Sequence, residues 1–352
     1  MTKIALLIPA NLYICPYVSI YTNILEEIGN EYDMVIWDKE NKNDNADYVF
    51  KKTSGPKENM FIKLIKYLSY SKFLKKIISA NKYDRLIIFG PQIGIFLQPF
   101  LRKKYNKTFI LDYRDLSIDQ IFKRRYEKLL SISSLNVISS PGFQDYLPQK
   151  FEYTLSHNFD INIIKKMINS SIVYQPIPEK INVLTIGAIR NYKENIDIID
   201  ALANNDKFRL LFVGKGPESK KISQYIMKNE ISNATSINFY KKEEEKEYIN
   251  NAHFINIYLP RKASHDSLIA NRLYHSIIYG KPMITTSNTT QGNLVKKFNL
   301  GLAIDNTTDL DKKIINYLEN TNITEYNNAR KRLMKSFIED YQIFKQKLIE
   351  NL

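Results

Sequence analysis

Cysteine is all but missing from this chain of 352 residues: Cys15 is its single thiol. One thiol closes no internal disulfide and supplies no cysteine metal cluster, which excludes a secreted disulfide scaffold. Histidine is scarce as well. His157, His253, His265 and His275 are dispersed, and no two have the spacing of a zinc motif, so the sequence gives no support for a metal site. Long apolar runs are also lacking. A membrane span needs about 20 mainly apolar residues, and the longest apolar region, 86–101, is broken by Gly90-Pro91-Gln92 and Gly94. The apolar run at 3–9 is too short for an export signal. The expected location is therefore cytoplasmic, peripheral at most to the inner face of the cell membrane. Acidic residues are in deficit, 37 against 51 Lys and Arg, for a formal net charge of +14. That excess attracts an anionic partner: nucleic acid, a membrane surface or a phosphorylated substrate.

What is present is ordinary globular material, with 44% apolar and 25% charged residues. The length favours two domains. Short apolar runs at 4–8, 34–37, 86–89, 108–111 and 136–139 alternate with amphipathic stretches at 17–28 and 61–78. This alternation predicts a parallel α/β sheet with crossover helices. The proline-punctuated segment 170–182 reads as a linker. Beyond it the pattern restarts, with strands expected at 183–186, 210–213, 236–239, 254–258 and 283–285. Helices are expected at 194–203, 218–228 and 267–279, and a charged helical tail at 325–352.

In open α/β sheets ligands bind beyond the carboxyl ends of strands, and three such places are chemically informative. Gly187-Ala188-Ile189-Arg190 leads to Lys193, placing two cations where a strand gives way to a helix N-terminus that itself favours phosphate. Val213-Gly214-Lys215-Gly216-Pro217-Glu218 is a glycine turn after the next strand. Arg272-Leu273-Tyr274-His275 lies on a helix that ends at Gly280-Lys281-Pro282. In this order the three segments resemble the donor-binding half of GT-B glycosyltransferases, in particular the bacterial GT4-like enzymes of capsule and exopolysaccharide synthesis. In the first half Asp112-Tyr113-Arg114-Asp115, Ser139-Ser140-Pro141-Gly142-Phe143 and His157-Asn158-Phe159-Asp160 are similar to strand-end and turn segments of the same family.

The resemblance implies a GT-B fold: two Rossmann-like domains facing a central cleft. Residues 1–172 would bind the acceptor and 173–337 the nucleotide-sugar, with the tail helix 338–352 packing back on the first domain. It implies transfer from a nucleoside-diphosphate sugar, expected to be a UDP-sugar, to a glycan acceptor, free or lipid-linked, with no further cofactor. Gly187, Arg190, Lys193, Gly214, Gly216, Arg272 and His275 are the implied donor contacts. Asp115, with Asp112 behind it, is the implied base for the acceptor hydroxyl in an inverting transfer. Asn11 falls near the acceptor side. The chain departs from the family in several places: the glutamate pair of the Arg272 helix falls on Ser267 and His275, Arg190 stands only three residues before Lys193, and Pro9-Ala10-Asn11 replaces a paired-glycine loop after the first strand. Asp309-Leu310-Asp311 matches a metal-binding motif of a different fold, but its position before a helix predicts capping.

Lysines interleave with aromatic and aliphatic residues at helical spacing over 63–78, and basic clusters follow at Arg102-Lys103-Lys104 and Lys123-Arg124-Arg125. A core-facing helix with a charged outer face would show this pattern, and so would a helix at an anionic membrane surface. Two other readings compete with the transferase. A sugar-nucleotide epimerase of the same fold needs several acids and bases around one sugar. A basic non-catalytic binding protein would account for the charge and leave the strand-end motifs unexplained; nucleic acid is not an expected partner.

Overall fold

The computed structural model describes residues 2–55, 58–170, 172 and 178–352. Part of the expected linker, 171 and 173–177, lies outside the described residues. The chain divides into two compact units, Met1–Asp160 with Glu339–Leu352, and Ile161–Ile338.

The first unit is built on seven parallel strands: β1 (Ile4–Ile8), β2 (Tyr32–Asp38), β3 (Tyr48–Lys51), β4 (Arg85–Phe89), β5 (Phe109–Tyr113), β6 (Leu135–Ile138) and β7 (Thr154–Leu155). Their order is β3-β2-β1-β4-β5-β6-β7. All five residues of β1 and of β5 are buried, as a parallel sheet covered on both faces requires. Helices α1 (Val18–Glu27), α2 (Met60–Asn81), α3 (Pro91–Lys104) and α4 (Lys123–Leu130) form the crossovers. Strand order reverses direction between β1 and β4, so the ligand crevice of this sheet lies beyond the ends of those two strands.

The second unit opens with α5 (Ile161–Met167) and holds six parallel strands: β8 (Ile181–Ile186), β9 (Phe208–Val213), β10 (Ala234–Ile237), β11 (Phe254–Ile257), β12 (Met283–Thr286) and β13 (Gly301–Ile304). Their order is β10-β9-β8-β11-β12-β13, which puts the switch point between β8 and β11. The helices are α6 (Tyr192–Leu202), α7 (Ser219–Lys228), α8 (Glu245–Asn251), α9 (Ala263–Asp266), α10 (Asn271–Tyr279), α11 (Thr290–Phe298) and α12 (Leu310–Asn320). The tail is one helix, α13 (Ile323–Glu350), whose residues from Glu339 onward cluster with the first unit. There Phe344 and Leu348 are fully buried, and Phe344 meets Tyr21 edge-on at 5.1 Å. No helix among the described residues is long and apolar enough to cross a membrane.

Several local expectations change. β10 lies two residues earlier than 236–239, and the sequence pattern did not reveal β3, β7 or β13. The helix expected over 267–279 begins later, at Asn271, and the separate short helix α9 that precedes it was not expected. Ser267 Oγ donates to the Ala263 carbonyl (2.7 Å), and extended Ala270 donates its N–H to Gln291 Oε1 (3.3 Å), so α10 starts afresh at Asn271. Asp309 does occupy the N-cap position of α12, but with φ +51° its side chain makes no cap bond and pairs with Lys312 instead (2.7 Å).

Candidate functional site

In the second unit the loops after β8 and β9 are built into each other. Gly187 adopts φ +97° and donates its N–H to the Val213 carbonyl (2.9 Å). A Cβ on Gly214 would stand 2.0 Å from Gly187 O, and one on Gly216 would stand 2.1 Å from Ile189 O. Both glycines are therefore required by backbone contact between the two loops. The N–H of Gly216 is taken up by Ser219 Oγ (2.6 Å). These glycines shape the edge on which the cations sit.

Arg190 is exposed in the β8 loop. Buried Asn195 holds that loop to α6 through the carbonyls of Arg190 (2.5 Å) and Asn191 (3.0 Å). Lys193, on the first turn of α6, is exposed. Asn191 at the N-cap of α6 makes no side-chain cap bond. Arg272 reaches from the first turn of α10 to the end of β11, where Nη1 donates to Asn256 O (2.6 Å). Burial, with Arg190 nearby, lowers its pKa to about 10. The structure thus brings Arg190 and Arg272 together across the β8/β11 switch point, although they are far apart in the sequence. Two like charges repel at the cost of folding stability, and a bound anion turns that repulsion into attraction.

Two further groups join this edge that the sequence motifs did not mark. Lys262 is exposed in the loop after β11. His265 on α9 has its pKa lowered by burial, with Lys262 and Arg190 adding to the effect. Their position just past a strand end was the available signal. His275 lies three residues beyond Arg272 on the same face of α10. Its Nδ1 is 3.8 Å from Glu245 Oε2 of α8, and burial lowers its pKa against the pull of that carboxylate.

A cavity of about 450 Å³ lies at the opposite edge of this sheet, where the strands begin, lined in part by Asn182, Arg209, His253 and Lys281. Its polar groups serve the fold. Lys281 Nζ donates to Asn250 O (2.6 Å), and His253 Nδ1 accepts the Asn182 N–H (2.8 Å). The carboxyl edge is the stronger site because strand geometry and convergent cations coincide there.

In the first unit Asp112, put forward as a second base, is fully buried at the end of β5. Its Oδ2 accepts from Arg114 Nη2 (2.6 Å) and Tyr21 OH (2.5 Å). A general base must reach its proton donor, and Asp112 is sealed in an ion pair that orients Arg114. Asp115 is exposed. It lines a cavity of about 180 Å³ at the β1/β4 switch point, together with Ala10, Tyr17, Lys39, Tyr67 and Arg114. Asn11 is fully buried and spent on structure: its amide donates to Asp38 Oδ1 (2.7 Å), and its oxygen accepts the Lys39 N–H (3.0 Å).

Residues 172–336 match the family model described as Glycosyl transferases group 1. No curated protein matches the chain in sequence. Among solved structures, sucrose-phosphate synthase from Thermosynechococcus elongatus is 14% identical, covers 99% of each chain and has a TM-score of 0.71. HepE of Anabaena in complex with UDP-glucose is 14% identical over all of both chains, with a TM-score of 0.66. A UDP-N-acetylglucosamine 2-epimerase-type structure from Listeria monocytogenes is 11% identical, with a TM-score of 0.57 over 94% of this chain and 90% of its own. At such identities these likenesses establish the fold, and activity has to be argued from the site. The chain has the GT-B fold, and its residues 172–336, which include Arg190 and Arg272, match the model of the Glycosyl transferases group 1 family.

Proposed function

We propose that this protein transfers a glycosyl group from a nucleoside-diphosphate sugar bound on its second unit to a glycan acceptor bound on its first. The observation that carries this reading is the convergence of Arg190 and Arg272 at the β8/β11 switch point, inside the segment that matches the family. Two cations aimed at one place suit a diphosphate, whose charge grows as the glycosidic bond breaks. Fixed positive charge that meets this growing negative charge is the main source of acceleration in such a site. A UDP-sugar is the donor we favour, in line with the UDP-glucose complex of a fold neighbour. Gly187, Gly214 and Gly216 shape the loops, Lys193 adds charge at the mouth of α6, and His275 donates to a nucleotide hydroxyl.

The cations do the work a metal does in other transferases, so activity should survive EDTA. Asp115 is the base we assign to an inverting transfer. The acceptor is a glycan of a bacterial surface polysaccharide, lipid-linked and met at the anionic inner face of the membrane. That part is supported by the family resemblance and by helix α2. Its first turns expose Met60, Phe61, Ile62, Ile65 and Leu68, with Lys72 and Lys76 exposed further along.

A panel of nucleotide-sugars incubated with the protein tests the reaction class. Slow release of nucleoside diphosphate from one of them, undiminished by EDTA, is the expected result. Conversion of the sugar with the diphosphate still attached would mean an epimerase instead.

A further inference from the structure

The cavity at the β1/β4 switch point of the first unit contains a cation that neither the motifs nor the family match marks. Lys39 follows β2. Its backbone is fixed by buried Asn11, itself anchored on Asp38. Its side chain is half-buried, with Nζ over the ring of Trp37 at 4.4 Å and over Tyr67 at 5.1 Å. Its hydrogen bond is a long one, to Tyr67 OH at 3.4 Å. Among the described residues no carboxylate pairs with it. The other cation of the pocket, Arg114, is committed to Asp112 and to Ser156 O. Removing an ammonium from water without a counter-charge is costly, and aromatic faces return only part of that cost. A chain that could place a neutral residue here keeps a cation, pointing into an open cavity.

The cavity is small, about 180 Å³, below the range that holds a whole drug-sized ligand. It suits one charged group. Glycine and proline open α3 at this point (Gly90, Pro91), adding the positive end of a helix dipole to the same space. Asp115 enters the same cavity from the end of β5, three strand spacings from β2, roughly 14 Å at the backbone. Tyr67 also ties the pocket to the surface. It belongs to α2, and within the two turns before it on that helix Phe61, Ile62 and Ile65 lie exposed.

We propose that this cavity seats the phosphate head group of an amphiphilic acceptor, with Lys39 as its counter-charge and the exposed apolar turns of α2 as the bed for its tail. This rests on the transferase reading only in calling the ligand an acceptor; the binding site itself needs no donor.

Trp37 is the single tryptophan of the chain and lies directly under Lys39 Nζ, so its emission reports on charge in the pocket. The test titrates the full-length protein with decyl phosphate, decanol and inorganic phosphate, following Trp37 fluorescence. Decyl phosphate should give a saturable change, inorganic phosphate a weaker one, and decanol none. Lys39→Gln should weaken decyl phosphate by about tenfold or more, the worth of one charge-assisted bond. Lys39→Arg, which keeps the charge, should hold affinity within about threefold of the original. Circular dichroism checks that both variants fold. Equal response to decanol, inorganic phosphate binding as tightly as decyl phosphate, or unchanged affinity in Lys39→Gln would each overturn the proposal. The titration contains no nucleotide-sugar, so its failure and a failure of the donor reading are separate results.

Discussion

Asp112 and Asp115 are three residues apart, and burial has given them different tasks. Asp112 is enclosed with Arg114 and Tyr21, and removing one partner of such a pair leaves the other charge buried and alone. Asp112→Asn should cost about 3–5 kcal/mol of stability and lower the melting temperature of the protein with or without ligands. Asp115→Asn should leave the melting temperature within a degree or two and abolish an inverting transfer while nucleotide binding persists. Calorimetry and transfer assays on the two variants separate the roles. A wild-type transfer rate in Asp115→Asn would remove it as the base. The sequence put Asp115 ahead of Asp112 but left both as candidates, because burial belongs to the packing of α1 and β5 and leaves no local signature. For the same reason Lys39 was invisible. A lysine after a strand is commonplace, and only the rings of Trp37 and Tyr67, brought from β2 and α2, make this one unusual.

At the scale of elements, helix α10 shows what a sequence pattern carries and what it omits. The run from Asn271 to Gly280 reads as a helix with a glycine stop, and Gly280 indeed closes it in the left-handed conformation. What holds α10 in place comes from far away. Buried Arg330 of α13 donates to the carbonyls of Ile277 (3.1 Å) and Ile278 (3.0 Å), a cation at a helix C-terminus. The break before Asn271 depends on Gln291, distant in the sequence. Strand existence was legible wherever a buried apolar run was long, as at β1 and β8. It failed for β7 and β13, whose few residues pair at or near a sheet edge and need no apolar run.

Helix α2 departs from expectation in a way that bears on function. The sequence showed lysines interleaved with apolar residues over 63–78; in the structure the helix starts earlier and its first turns are apolar and exposed, Phe61 at 75%. Apolar insertion and electrostatics should therefore act together. Phe61→Ser with Ile65→Ser should reduce flotation with anionic vesicles even at low salt, and raised salt should reduce it further in the original chain. Equal flotation of the original chain with neutral and anionic vesicles would remove the electrostatic part. An unchanged double variant would remove the apolar part.

Over the whole molecule each of the two sheets has one switch point, beyond β1 and β4 in one unit and beyond β8 and β11 in the other, and it is there that we place the chemistry. The excess of +14 becomes specific only where packing brings unpaired cations to those edges. The assignment of the donor to the β8/β11 edge is tested by steady-state kinetics of Arg190→Ala and Arg272→Ala with the nucleotide-sugar found in the panel. Charge that matters more as the diphosphate departs should appear in kcat more than in KM. Each variant, shown to be folded by circular dichroism, should lose on the order of 10²-fold in kcat. Near-original kcat/KM in both would contradict the assignment of the donor site to the β8/β11 edge.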